Sequence, residues 1–150
     1  MKVTGMAVKL LSEVEINHWL SNQHEFNGSA QLKALFGNSR KTFIAKCMFL
    51  DNNGIKTCST NLTWYDAREN HPSRSEYRLY YDSSFFSNLP KAGDTMVITI
   101  DADNHVCIFI IADGTEIAKC LTRILSNKLG TTYHVIDNAA VINSIIHYLE

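Results

Sequence analysis

Apolar positions in this chain recur at helical spacing toward both ends and alternate through the middle. Ser12 and Glu15 stand in capping-box spacing ahead of Val14, Ile16 and Trp19, which predicts a short helix to Leu20. A polar, turn-prone run from Asn22 to Gly28 follows. Ser29 then caps a second short helix carrying Leu32, Leu35 and Phe36, with Gly37 as its stop. From Lys41 the texture becomes β-prone: Thr42–Leu50, the turn Asn52-Asn53-Gly54, and Ile55–Tyr65 predict a hairpin. A charged stretch with one proline runs from Asp66 to Glu76, and Tyr77–Tyr81 is again strand-like. Asn88-Leu89-Pro90 and Gly93-Asp94 punctuate a loop before strands at Thr95–Ile100 and Val106–Ile111, which the turn Asp101–Asn104 joins. After Gly114 the period is helical: Ile117, Leu121, Ile124 and Leu125 share a face, with Gly130 as the expected stop. A last helix, Asn138 to Leu149, carries Val141, Ile142, Ile145 and Ile146. With no repeat, linker or low-complexity tract, residues 1–150 read as a single α+β domain. Its sheet is expected to be largely antiparallel, with five or more strands and flanking helices.

Composition narrows the class. Hydrophobic residues make up 45% and charged residues 19%, a globular balance that excludes a disordered or collagen-like chain. The apolar run through Cys107 to Ala112 is far too short for a membrane span. The N-terminus lacks the apolar stretch and cleavage site of a signal peptide. Four cysteines, at 47, 58, 107 and 120, show no C-x-x-C spacing and lie in apolar segments, which predicts reduced thiols in a cytoplasmic chain. A net charge of −1 argues against a strongly basic nucleic-acid binder. The charge is unevenly spread, however. Residues 29–60 hold five Lys/Arg against one acid, and residues 83–115 hold one Lys against four Asp.

Signatures of catalysis are mostly absent: no G-x-S-x-G, Walker loop, H-E-x-x-H or zinc spacing occurs, and the six histidines are scattered. No metal or cofactor is expected. Two polar segments stand out instead. In the first, Arg74, Glu76 and Arg78 follow the strand period of two and would project from one face, with Arg68 nearby. Arginine reaches guanine O6 and N7 with two parallel hydrogen bonds, and a carboxylate accepts from cytosine N4, so the alternation suits G·C pairs in a major groove. The alternative is a solvated strand edge whose charges pair among themselves. The second segment offers Asn22, Gln23, His24, Glu25 and Asn27, whose amide, imidazole and carboxylate groups bond bases or phosphates. Its alternative is an ordinary interhelical turn closed by Asn27-Gly28. Trp64, Tyr65, Tyr77, Tyr80 and Tyr81 fit sheet packing better than a stacking platform, and Phe85-Phe86 fits a core.

At these residues the sequence resembles the N-terminal effector-binding domain of EcoRII-type restriction endonucleases, a DNA-binding pseudobarrel related to the plant B-three domains. The resemblance spans Leu11 to Leu125 and is strongest in Ser21–Gly37 and Thr63–Tyr81. It implies a curved, barrel-like sheet with short end helices and two arms that grip the major groove, at Ser21–Gly28 and Asp66–Arg78. Arg74, Glu76, Arg78, Asn22, Gln23, His24, Glu25 and Asn27 would read bases, supported by Arg68, His71, Ser73 and Tyr77. Lys33, Arg40, Lys41 and Lys46 would contact phosphates. The loop after Tyr81 is shorter than in the prototype, and the 22–28 stretch is more compact. The partner implied is double-stranded DNA with a short, C/G-containing site, and no membrane. Cleavage would belong to a nuclease domain or subunit outside these residues. Two other classes compete: a hydrolase using His24 and Glu25 or Glu116 and Lys119, and a protein-interaction module using an exposed sheet edge.

Overall fold

The central hairpin organises the sheet. Strand β3 (Lys41–Asp51) pairs antiparallel with β4 (Gly54–Asp66), from Lys41 opposite Trp64 to Asp51 opposite Gly54. The chain reverses through Asn52-Asn53 because Gly54 adopts φ 124°, a conformation closed to most side chains. Alternation along β3 is strict over its first half: Phe43, Ala45 and Cys47 are buried while Thr42, Ile44 and Lys46 are exposed. In this computed structural model, residues 2–21, 23–82 and 85–150 are described; Asn22, one of the expected base readers, lies outside them.

Around the hairpin stand β1 (Val3–Leu10), β2 (Glu25–Asn27), β5 (Tyr77–Tyr81), β6 (Thr95–Asp101), β7 (Val106–Ile111) and β8 (His134–Ile136). They form one eight-stranded sheet of order β2-β5-β4-β3-β7-β6-β1-β8. Every pairing is antiparallel except that of β3 with β7, so the sheet is mixed. The α+β expectation holds. Three strands were not legible: β1, β8, and β2, whose residues read as a turn. The sheet is open but curled. Lys9 of β1 and Thr132 just before β8 line the same cleft as Glu25 and Asn27 of β2, which brings the two sheet edges toward each other.

Helices α1 (Glu13–Leu20) and α2 (Ala30–Phe36) start where the caps predicted. Ser12 and Glu15 complete a capping box, and the Ser29 side chain accepts from Leu32 N at 3.2 Å. They place Ile16, Trp19, Leu32 and Phe36 inside the curl, against Phe26, Phe43, Leu62, Trp64, Leu79 and Tyr81. On the other face, α3 (Glu116–Leu125) and α4 (Ala139–Leu149) cover β1, β6 and β7 through Leu121, Leu125, Ile142 and Ile145. Helix α3 ends at Leu125 rather than running to Gly130, because Ser126 turns left-handed at φ 55° and a 3-10 turn follows. Among the described residues, this second core takes nothing from β2, β4 or β5. The outward face of those strands is therefore uncovered, and it is polar. No described helix is long and apolar enough to cross a membrane.

Candidate nucleic-acid interface

The two polar segments, fifty residues apart in sequence, become neighbours through one short strand pairing. Strand β2 adds to β5 with Glu25 opposite Tyr80, Phe26 opposite Leu79 and Asn27 opposite Arg78. Phe26 and Leu79 point inward and are buried, so the period of two sends Glu25, Asn27, Arg78 and Tyr80 outward together. Gly28 permits the approach. Its N–H donates to Tyr77 O at 2.7 Å, and any Cβ there would meet that oxygen at 2.4 Å.

A chain of charge-assisted hydrogen bonds ties the segments. Arg78 Nη1 donates to Glu25 Oε2 at 2.8 Å, Arg78 Nη2 to Glu76 Oε1 at 3.0 Å, and Arg68 Nε to Glu76 Oε2 at 2.9 Å. Tyr65 completes it by donating to Glu25 Oε1 at 2.8 Å. Hydrogen bonds from Arg68, then Arg78, hold the Glu76 carboxyl below the usual carboxylate range. The bonds that Arg78 donates to Glu25 and Glu76 raise it further above an ordinary guanidinium. Partial burial, reinforced by Glu25, pushes the Tyr65 phenol up.

The loop between β4 and β5 holds itself in shape. Asp66 Oδ1 accepts from Arg68 N at 2.9 Å and Glu76 N at 2.7 Å, while His71 Nδ1 accepts from the backbone of Ser73 and Arg74. These local bonds stop the strand from extending below Tyr77. The expected row of Arg74, Glu76 and Arg78 on one strand face is therefore not formed: Arg74 and Glu76 precede β5, and only Arg78 lies in it. Residues 67–75 are all exposed. Among the described residues, the Arg74 side chain makes no hydrogen bond or ion pair, unlike Arg68 and Arg78.

Gln23, His24, Glu25, Asn27, Arg78 and Tyr80 line one cleft of about 400 Å³. His24 is half-buried, stacked 5.3 Å from Tyr81, and its backbone oxygen accepts from Tyr81 N. Tyr77 stacks on Trp64 at 5.2 Å, donates to Asn38 O at 2.6 Å and lies under Lys33 Nζ at 4.8 Å. Arg40 sits over Tyr65 at 5.5 Å. Lys33 and Arg40 thus lie beside the two polar segments. Lys41 is exposed at the start of β3, and Lys46 lies five residues along it, roughly 17 Å away.

No protein family and no curated protein matches this sequence. The fold is similar to that of the N-terminal domain of Helicobacter pylori LlaJI.R1. The TM-score is 0.52 at 10% identity, over 89% of this chain and 98% of that one. At that identity the likeness is one of architecture.

Sequence reasoning missed Tyr65, Asp66, His18 and Tyr80. Tyr65 and Tyr80 were assigned to packing, yet one holds Glu25 and the other lines the cleft, as does His18. Outward alternation of Thr63 and Tyr65 in β4 was the available signal. Glu116 and Lys119 pair at 3.4 Å on exposed α3, away from the cleft. Asp101, Asp103 and His105 bring possible metal ligands within 4.8 Å of one another at the β6–β7 turn. The turn's own bonds account for them: Asp101 accepts from the backbone of Asp103 and His105 and from the His105 ring.

Proposed function

We propose that this chain is a sequence-specific binder of double-stranded DNA with a pseudobarrel fold, the recognition domain of a restriction system and non-catalytic by itself. The observation that carries this reading is the β2–β5 pairing, which makes one polar surface from two segments chosen independently for base-reading chemistry. The fold likeness to an N-terminal domain agrees with a recognition module that works beside a nuclease domain or subunit.

The exposed 67–76 loop enters the major groove. Arg74, whose guanidinium has no partner among the described residues, is the first choice for guanine, and Glu76 accepts from a cytosine amine. Arg68, His71, Ser73 and Tyr77 shape that arm. Gln23, Glu25 and Asn27 read from the other, with His24 behind them. Lys33 and Arg40, then Lys41 and Lys46, contact phosphates and fix register. A net charge of −1 keeps non-specific affinity low, so base contacts carry the discrimination.

Titration of a preferred duplex by fluorescence anisotropy tests this. Arg74→Ala and Glu76→Ala should each cost ~1–3 kcal/mol on that duplex. Unchanged affinity for Arg74→Ala removes the loop from recognition. Metal-dependent cutting of plasmid DNA that His24→Ala or Glu116→Ala abolishes would replace the reading with a hydrolase.

A further inference from the structure

Residues 67–75 are exposed on a loop, whereas the other polar segment is drawn into the sheet as β2. Gln23, His24, Glu25 and Asn27 line the cleft that Arg78 and Tyr80 close from β5. A base held inside a paired duplex does not enter a concavity, so an occupant of this cleft must come to it.

A phosphate ridge is one candidate occupant, and the charges do not favour it. Arg78, the one Lys or Arg among the described residues lining the cleft, is already bonded to Glu25 and Glu76. Glu25 balances Arg78, and the rest of the lining is two amides, Tyr80 and the imidazoles of His18 and His24. Hydrogen-bonding capacity is also left over. Each Glu25 oxygen accepts a single side-chain bond, from Tyr65 or Arg78, and keeps a lone pair. Tyr80 is 38% exposed and offers a ring face at the rim. A cleft of about 400 Å³ falls within the range of small-ligand sites. An uncharged ring with a donor–acceptor edge fits these features, and DNA held by the neighbouring loop supplies one.

Resting on the DNA-binding reading above, we infer that this cleft receives one nucleobase extruded from the bound duplex. The base stacks against Tyr80 and is bonded along its pairing edge by Gln23, Glu25 and Asn27. Glu25 selects a base with an exocyclic amine, so thymine is excluded.

The experiment uses the whole chain and the duplex that it selects from a random pool. Each base in turn loses its pairing partner by placing an abasic site opposite it. Extrusion of a paired base costs unpairing energy, so freeing the right one in advance tightens binding by about tenfold or more, at a single position. Chloroacetaldehyde, which attacks unpaired adenine and cytosine, should mark that position in the protein-bound normal duplex if it holds either base. Asn27→Ala and Tyr80→Ala should each lose the tightening while keeping the parent's thermal unfolding midpoint. If the chain binds its duplex and no abasic position tightens binding, extrusion is wrong while DNA recognition stands. If no duplex is bound, both fall.

Discussion

Replacing Gly28 by alanine probes the joint on which the whole surface depends. An alanine Cβ at that position lies 2.4 Å from Tyr77 O, 2.6 Å from Tyr77 C and 2.8 Å from the Trp64 ring. Two of the three obstacles are backbone and the third is a buried indole, so no side chain can swing aside. Reaching an ordinary contact of 3.4 Å moves β2 about 1 Å from β5. That displacement carries the 2.7 Å hydrogen bond from Gly28 N to Tyr77 O out of range. The lost bond is worth about 0.5–1.5 kcal/mol and the overpacking about 1–3 kcal/mol, so the variant should be about 1.5–4.5 kcal/mol less stable. Urea unfolding followed by tryptophan fluorescence measures it, with Gly5→Ala as the comparison. There the nearest obstacle is Leu35 Cδ1 at 2.7 Å, a half-buried side chain that can rotate away, so the loss should be smaller. Duplex affinity should fall with Gly28→Ala and persist with Gly5→Ala. A Gly28→Ala midpoint equal to the parent's would show that β2 does not pack against β5 as described.

Other outcomes follow from the same geometry. Leu79→Ala opens a cavity beneath β2 at a fully buried position and should cost about 2–5 kcal/mol by the same urea measurement. Lys33→Ala should weaken binding to all sequences alike and reduce the salt slope of log K by about 1, read from titrations across an ionic-strength series. Because Arg68 and Arg78 hold Glu76 below the usual carboxylate range, its contribution is full above that range. It is lost only as pH falls through the lowered value. Affinity followed downward from neutral pH should therefore hold to below the ordinary carboxylate range, and a decline beginning near neutrality would assign the titration to another group.

Local signals announced the elements that local chemistry determines. Ser12 with Glu15, Ser29, Asn52-Asn53-Gly54 and Asn138 each began a helix or closed a turn where the residues predicted, and the alternation of Thr42–Leu50 fixed the hairpin face. Strands that exist only through a distant partner left no such mark. Strand β2 spans three residues and depends on β5; β8 spans three and depends on β1. The parallel contact of β3 with β7 joins segments separated by three intervening strands, and no residue pattern encodes it. The candidate surface divided in the same way. Residue chemistry singled out Glu25, Asn27, Glu76 and Arg78, but placing Arg74 and Glu76 on one strand face with Arg78 extended the period of two past its limit. Asp66 and His71 bond the backbone there into a loop. Only the folded pairing reveals that Arg78 is committed to two carboxylates while Arg74 is free of such bonds among the described residues.

Selection of bound duplexes from a randomised pool, repeated with Arg74→Ala and Asn27→Ala, addresses duplex recognition by these two arms most directly. The parent chain should enrich one short motif containing G·C pairs, and each variant should lose preference at its own positions within it. A pool that returns no enriched motif, or two variants that recover the parent's motif unchanged, would contradict the account.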